Sequence, residues 1–563
     1  MATIADYYKY ALLATASYVR MGSNPLDGAA FSARASDPNQ AGGRLPLSIA
    51  TELFNPSDPD AMPWTVADYY GGDRPGIDDK SGFAATLFKN GVENVLAIRG
   101  VEGTLLGEGG DVYHDLLGAS VGGIGMIGLA LTQLVDLINL IQRLYTPEDQ
   151  YALQIKTELS TIRPEDKPGE QAVLELKGEL SAGVVSIPIP LYLAITKNYT
   201  TKGEGKLDST EKITLIGHSL GGHLAAAASM IFPQRVNAEV FAYNSPGFDP
   251  ATWDLAGVPL PRSLVALHIA IAGAAAVIKG ALVDALGDGA RQLDIGAQQK
   301  SASLINALQA FFDTPVGAPY PVVRNLESED SPPGDDNSFV TSMFSGSVPL
   351  GAKITVPTEI NSHAIEQIMD ALALHAVLYR LDNGVTLTAS KTFVDAAEKN
   401  PGASEETLVE ALHALLIPGS RLAPDGLQLP ISDASQGVDW WTGKGDIAAR
   451  DAYHTAILEI NNRLDELDLT GTHIVSMMDE SAGPLTKQQL IDRADRGPDK
   501  YAYRYALKEL LPFAVTGIDY SVHNANGELE PYIDGTQRSG TLTDKWIDDR
   551  AQFLYFKNIA FRG

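Results

Sequence analysis

The run Gly217-His218-Ser219-Leu220-Gly221-Gly222 follows the β-branched, apolar segment Ile213-Thr214-Leu215-Ile216 and precedes an alanine-rich helical pattern. A sharp strand-to-helix turn of this kind lifts a serine hydroxyl above the end of a sheet. Glycines are needed around it because neighbouring backbone comes too close for side chains. The helix behind the serine presents its N-terminus, and so a positive partial charge, to an oxyanion forming on an attacked carbonyl. A tight turn holding an inert serine is the alternative. The flanking strand and helix favour Ser219 as a nucleophile.

A serine nucleophile needs a base, and the chain has 10 histidines. His218 and His223 flank Ser219 in sequence, but the turn aims them elsewhere, and their spacing is wrong for two metal ligands on one helical face. His268, His375 and His413 sit within helical patterns and read as packed or surface residues, and His114 precedes a long uncharged stretch. His363 differs, following the strand Lys353-Ile354-Thr355-Val356 and a short loop and opening a helix. A base presented there suits the chain order serine, acid, histidine. The acid should then lie between Ser219 and His363 on a loop after a strand. Glu327, Glu329, Asp330, Asp335 and Asp336 qualify, with Asp249 and Asp254 as earlier competitors. Acidic residues on such Pro- and Gly-rich loops are also ordinary turn formers, so spacing leaves the choice open.

Strands alternate with helices over roughly the first 380 residues, which predicts an α/β domain with a mainly parallel sheet. The segments 91–100, 211–216 and 237–248 read as buried strands, and 172–196 as strand–turn–strand. Residues 5–21 read as a helix, 54–82 as irregular surface, and Thr146-Pro147-Glu148-Asp149 as a helix start. After residue 381 the texture changes to helices near 405–416 and 452–467, and Asn526-Gly527 suggests a hairpin turn. The expected division is a domain over 1–385 and a smaller mixed α+β region over 386–563. The apolar stretches 111–145 and 259–312 are lid candidates, with buried core helices as the plainer reading. The first contains 20 consecutive uncharged residues, 116–135, but its five glycines and unflanked ends argue against a membrane span.

Composition narrows the partners. The chain has 563 residues, more than one core usually organises, and a formal net charge of −28. That charge disfavours nucleic acid and anionic lipid surfaces. With no cysteine there are no disulfides, thiolate metal sites or cysteine nucleophiles. The N-terminal residues lack the pattern of a secretory signal peptide.

The succession Ala97-Ile98-Arg99-Gly100, then GHSLGG, then VVRNLESEDSP, then NSHAIEQIMDAL resembles the class 3 lipases of the α/β-hydrolase fold. It is similar in particular to the bacterial lipase and phospholipase domains of calcium-repeat (RTX) proteins. The likeness covers about residues 1–380, with insertions at 172–208 and 259–312. It implies a triad of Ser219, Asp330 and His363. Asn325 to Pro332 follows the family's acid motif with one extra residue before the aspartate and one before the proline. It also implies an oxyanion hole from the backbone N–H groups of Val101 and Leu220. The family usually has threonine or serine at the first of these, so valine offers the backbone alone. Segments 501–513 and 540–554 resemble stretches found upstream of calcium-binding repeats, although the repeat itself is absent.

The activity so implied is a lipase acting on triacylglycerol or similar acyl esters through an acyl-enzyme. A phospholipase A, or a non-catalytic hydrolase-like module of a large secreted or surface protein, are the alternatives. No cofactor is required, calcium would be a structural ion only, and the expected partner is a lipid or ester substrate met at an interface. Secretion by a type I-like route without a signal peptide is implied, with a cytoplasmic location as the alternative. The region 386–563 would be accessory, carrying none of the chemistry.

Overall fold

The computed structural model describes residues 2–560 except 21–27, 38–44, 57–61, 72–81, 101–130, 161, 166–170, 183–184, 246–304, 306–307, 310, 313–318, 329–350, 359–363, 398–403, 420–421, 423–426, 428–446, 481–482, 496–498 and 532–540. Its centre is a seven-stranded sheet built from β1 (Thr65–Tyr70), β2 (Ala85–Lys89), β3 (Asn94–Ile98), β7 (Thr214–His218), β8 (Glu239–Tyr243), β9 (Val322–Ser328) and β10 (Ala352–Val356), adjacent in that order. β1 and β2 pair antiparallel, as do β2 and β3, and every pair from β3 to β10 is parallel. The protein is thus an α/β fold. β1 and β2 were not expected; β1 lies within the stretch 54–82 read as irregular. As an edge strand it mixes buried residues with exposed or half-buried ones and carries no continuous apolar run.

Alternate residues of the central strands feed two cores. Leu96, Ile98, Leu215, Val240 and Ala242 face one side, where α4 (Leu131–Tyr145) and α5 (Leu220–Ile231) pack. Val95, Ala97, Ile216, Phe241, Tyr243, Leu326 and Val356 face the other, against α1 (Ile4–Ala16), α2 (Gly28–Ala35), α3 (Leu47–Phe54) and α6 (Ile365–Leu381). The period of two along each strand produces this three-layer arrangement.

α4 occupies the described part of the first lid candidate, and it is a core helix. Leu134, Leu137, Ile138 and Ile141 are fully buried, and Asn139 binds the backbone N–H and carbonyl of Ile155 at 2.7 and 3.0 Å. The helix ends at Tyr145 instead of one beginning at Thr146, because the Thr146 hydroxyl turns back onto the Gln142 carbonyl at 2.7 Å. Residues 111–130, and nearly all of the second lid candidate, lie outside the described residues. Among the described residues no helix is long and apolar enough to cross a membrane. Between α4 and β7 comes an antiparallel sheet of β4 (Tyr151–Ser160), β5 (Gln171–Ala182) and β6 (Val185–Lys202), with β6 central.

Beyond α6 come α7 (Leu387–Ala397), α8 (Ser404–Leu416), α9 (Ile447–Asp465), β11 (His473–Ser476), α10 (Lys487–Asp495), α11 (Lys500–Glu509), β12 (Phe513–Thr516) and α12 (Asp544–Ala560). Instead of a hairpin at Asn526-Gly527 there is a short 3₁₀ turn at Val522–Asn524 and a further turn closed from the Gly527 N–H to the Asn524 carbonyl. The C-terminal core includes Ala373, Leu374, Val377, Leu378 and Leu381 from the second half of α6. One helix therefore belongs to two cores, and it is buried nearly all round for that reason.

Three buried charged and polar groups join these cores. Arg450 on α9 forks onto Asp370 of α6 at 2.8 and 3.0 Å, and His454 Nε2 meets the same carboxylate at 2.7 Å. His454 Nδ1 reaches the Tyr8 hydroxyl of α1 at 3.3 Å. Burial alone would raise the Asp370 pKa; the Arg450 charge and the bonds from His454 and Arg450 outweigh it and hold the carboxyl below its ordinary 3.8. A depressed folded pKa contributes stability above the unfolded value that is lost as pH falls through the folded one. Asp370→Asn strands a buried guanidinium and should cost about 3–5 kcal/mol at pH 7. In denaturant melts the gap to wild type should be full above pH 3.8 and close below it; a gap independent of pH would refute the ionised pair.

Candidate active site

Between Ile213 and Ser229 every residue is buried except Ser219, which is partly exposed. It stands between β7 and α5 with φ 54° and ψ −128°, a positive-φ backbone that residues other than glycine seldom adopt. The turn is held from all sides. The Ser219 N–H donates to the Tyr243 carbonyl of β8 at 2.8 Å. The Ser219 carbonyl accepts from the N–H of Gly222 at 3.0 Å and from the Ser245 hydroxyl at 3.0 Å.

The glycines are required by backbone contact. A Cβ on Gly217 would overlap the backbone of Gly221, and one on Gly221 would overlap the Ile98 carbonyl at the end of β3. On Gly222 it would come within 2.8 Å of Ser245 Cβ. On Gly100 it would lie 2.6 Å from the His218 carbonyl and 3.0 Å from Ser219 Cβ. The end of β3 thus abuts the serine. Tyr18, just past α1, stitches the two together: its hydroxyl accepts from the Gly100 N–H at 3.1 Å and contacts His218 Nδ1 at 2.7 Å.

β3, β7, β8, β9 and β10 are parallel, so their C-terminal ends share one sheet edge. Ile98 pairs with Gly217, His218 with Tyr243, Tyr243 with Leu326, and Ser328 with Val356. In chain order Val101 follows Gly100, Asp330 follows the end of β9 by two residues, and His363 precedes Ala364, the N-cap of α6. Val101, Asp330 and His363 lie outside the described residues. So do Glu329, Asp335, Asp336, Asp249 and Asp254 among the alternative acids. Glu327 is described, and its carboxylate is engaged within the sheet by Lys353 at 2.6 Å and by the Asn325 amide at 2.6 Å. Leu220, the second oxyanion-hole residue, is buried at the first position of α5.

Seven histidines are described, and none is presented at this edge as a base. His218 is held by Tyr18, and His223 is fully buried on α5. Burial pushes the His375 pKa down to about 4, and its Nε2 is 3.0 Å from the Pro357 carbonyl. His413 contacts Glu459, His454 contacts Asp370, His473 lies by Asp382, and His523 contacts the Leu415 carbonyl.

Sequence reasoning missed Tyr18, Asn244 and Ser245. The Asn-Ser-Pro-Gly run at 244–247 signals a turn, but not which strands the turn joins. No family model, curated protein or solved structure matches the chain.

Substitutions at two positions test this geometry. Ser219→Gly and Ser219→Ala both lack the hydroxyl, but only glycine relieves the positive φ. The glycine variant should be the more stable by about 1 kcal/mol in denaturant melts. Equal stability would mean that the turn is unstrained. Gly221→Ala should destabilise by about 3 kcal/mol or more, since the obstruction is backbone that cannot swing aside.

Proposed function

We propose that the chain is a serine carboxylic-ester hydrolase of the α/β-hydrolase fold, a lipase-type enzyme acting on neutral acyl esters. The observation that carries this reading is the Ser219 turn: a partly exposed serine with positive φ between a central parallel strand and a helix N-terminus. Two further facts support it. The segments bearing the other proposed residues leave the same sheet edge, and the described histidines are each buried or bound elsewhere, which leaves the base to His363 or to His114 and His268. The net charge of −28 favours neutral esters over anionic bilayers.

In this mechanism His363 takes the Ser219 proton as the serine oxygen attacks the ester carbonyl. Asp330 orients the imidazole and stabilises its charged form. The oxyanion is held by the N–H groups of Val101 and Leu220, each worth on the order of 3 kcal/mol. His363 then protonates the leaving alcohol, and water, activated by the same residue, releases the carboxylic acid from Ser219.

A fluorophosphonate probe should label the wild-type chain at Ser219, read by peptide mass. Ser219→Ala should remove labelling and lower ester hydrolysis by about 10⁴-fold or more. Asp330→Asn and His363→Ala should each cause large losses in kcat. Hydrolysis undiminished in Ser219→Ala would sink the proposal.

A further inference from the structure

Asn244 follows β8 with φ 44°, one of three described non-glycine residues with a positive φ, of which Ser219 is another. Its N–H donates to the Leu326 carbonyl at 2.8 Å, the rung expected if β8 continued alongside β9. In a continued parallel ladder the next bond would run from the Ser328 N–H to the backbone carbonyl of residue 244. The Ser328 N–H donates instead to the side-chain Oδ1 of Asn244, at 2.9 Å. The left-handed backbone ends β8, and the side-chain amide takes over the rung that its own carbonyl gives up. β8 can therefore turn away while β9 stays paired to its last residue.

The same turn reaches back to the nucleophile. The neighbouring Ser245 hydroxyl donates to the Ser219 carbonyl at 3.0 Å, and the Asn325 amide of β9 donates to the Ser245 carbonyl at 3.3 Å. Residues 244 and 245 thus connect the serine turn to the exit of β9. Glycine would accept the backbone geometry but supply no acceptor. An alanine would supply neither. Asparagine provides both, since its short amide tolerates the left-handed region.

We propose that Asn244 is a positioning residue for the catalytic acid: it holds the end of β9, two residues before Asp330, in fixed register with the Ser219 turn. The inference rests on the ester-hydrolase reading with Asp330 as the acid. A double-mutant cycle tests it on the full chain. Asn244→Gly keeps the backbone geometry and removes the acceptor. It should lower kcat about 10- to 100-fold, as a small misplacement of a catalytic group does. KM should stay within about twofold, and fluorophosphonate labelling of Ser219 should slow with kcat. In the Asp330→Asn background the same change should cost nothing further, which a general structural role would not produce. Asn244→Asp, which keeps the acceptor, should retain kcat within about fivefold of wild type.

Wild-type activity in Asn244→Gly, losses that multiply in the cycle, an aspartate variant as impaired as the glycine one, or a glycine variant that no longer folds would each overturn the role of Asn244. So would a silent Asp330→Asn, while leaving Ser219 labelling intact. An unlabelled wild-type Ser219 would instead bring down the hydrolase reading itself.

Discussion

Backbone packed on backbone at the Ser219 turn is the constraint to which the surrounding architecture conforms. A side chain on Gly217 would overlap the backbone of Gly221, and one on Gly221 would overlap the Ile98 carbonyl. With those contacts in place, β3 must be the neighbour of β7 and α5 must leave the strand steeply. The positive φ of Ser219 then costs energy that only an over-determined surrounding can hold. That surrounding is present: the ladders to β3 and β8, the hydroxyl of Ser245, and buried apolar side chains on both sheet faces.

How much of this was legible in the sequence depended on how local the cause was. β3, β7 and β8 are buried on both faces, so each reads as a short continuous apolar run. The serine turn was legible because its strand, glycines and helix are contiguous in sequence, even though Gly221 answers to Ile98 at the end of β3. β1 was not legible, since an edge strand needs no apolar run. Tyr18 was hidden for another reason: its partner His218 lies 200 residues away, and nothing in a helical stripe announces a bond of that range. Asn244 is similar, with Ser328 84 residues on. Its neighbours spell a turn, and only the folded register reveals that the turn closes a ladder. The helix start at Thr146 failed on a local competition. A threonine hydroxyl can cap a helix that begins after it or bond back to one that ends before it, and here it does the second.

α6 links the sheet to the C-terminal core. Its N-cap, Ala364, directly follows His363, and its His375 ring meets the Pro357 carbonyl, so both ends of the chain between β10 and the helix are tied to α6. With a pKa near 4, His375 is neutral over the range in which an ester hydrolase with a histidine base would work, so this tie is insensitive to pH there. The opposite end of α6 lies in the C-terminal core, and its middle is fixed by Asp370 to Arg450 and His454. A helix with a buried carboxylate cannot shift along its axis without stranding that charge, which makes the pair a register lock more than a source of net stability. The elements beyond residue 386 thus bear on the proposed site from behind. Through Arg450 and His454 they fix the helix from whose start the proposed base would act.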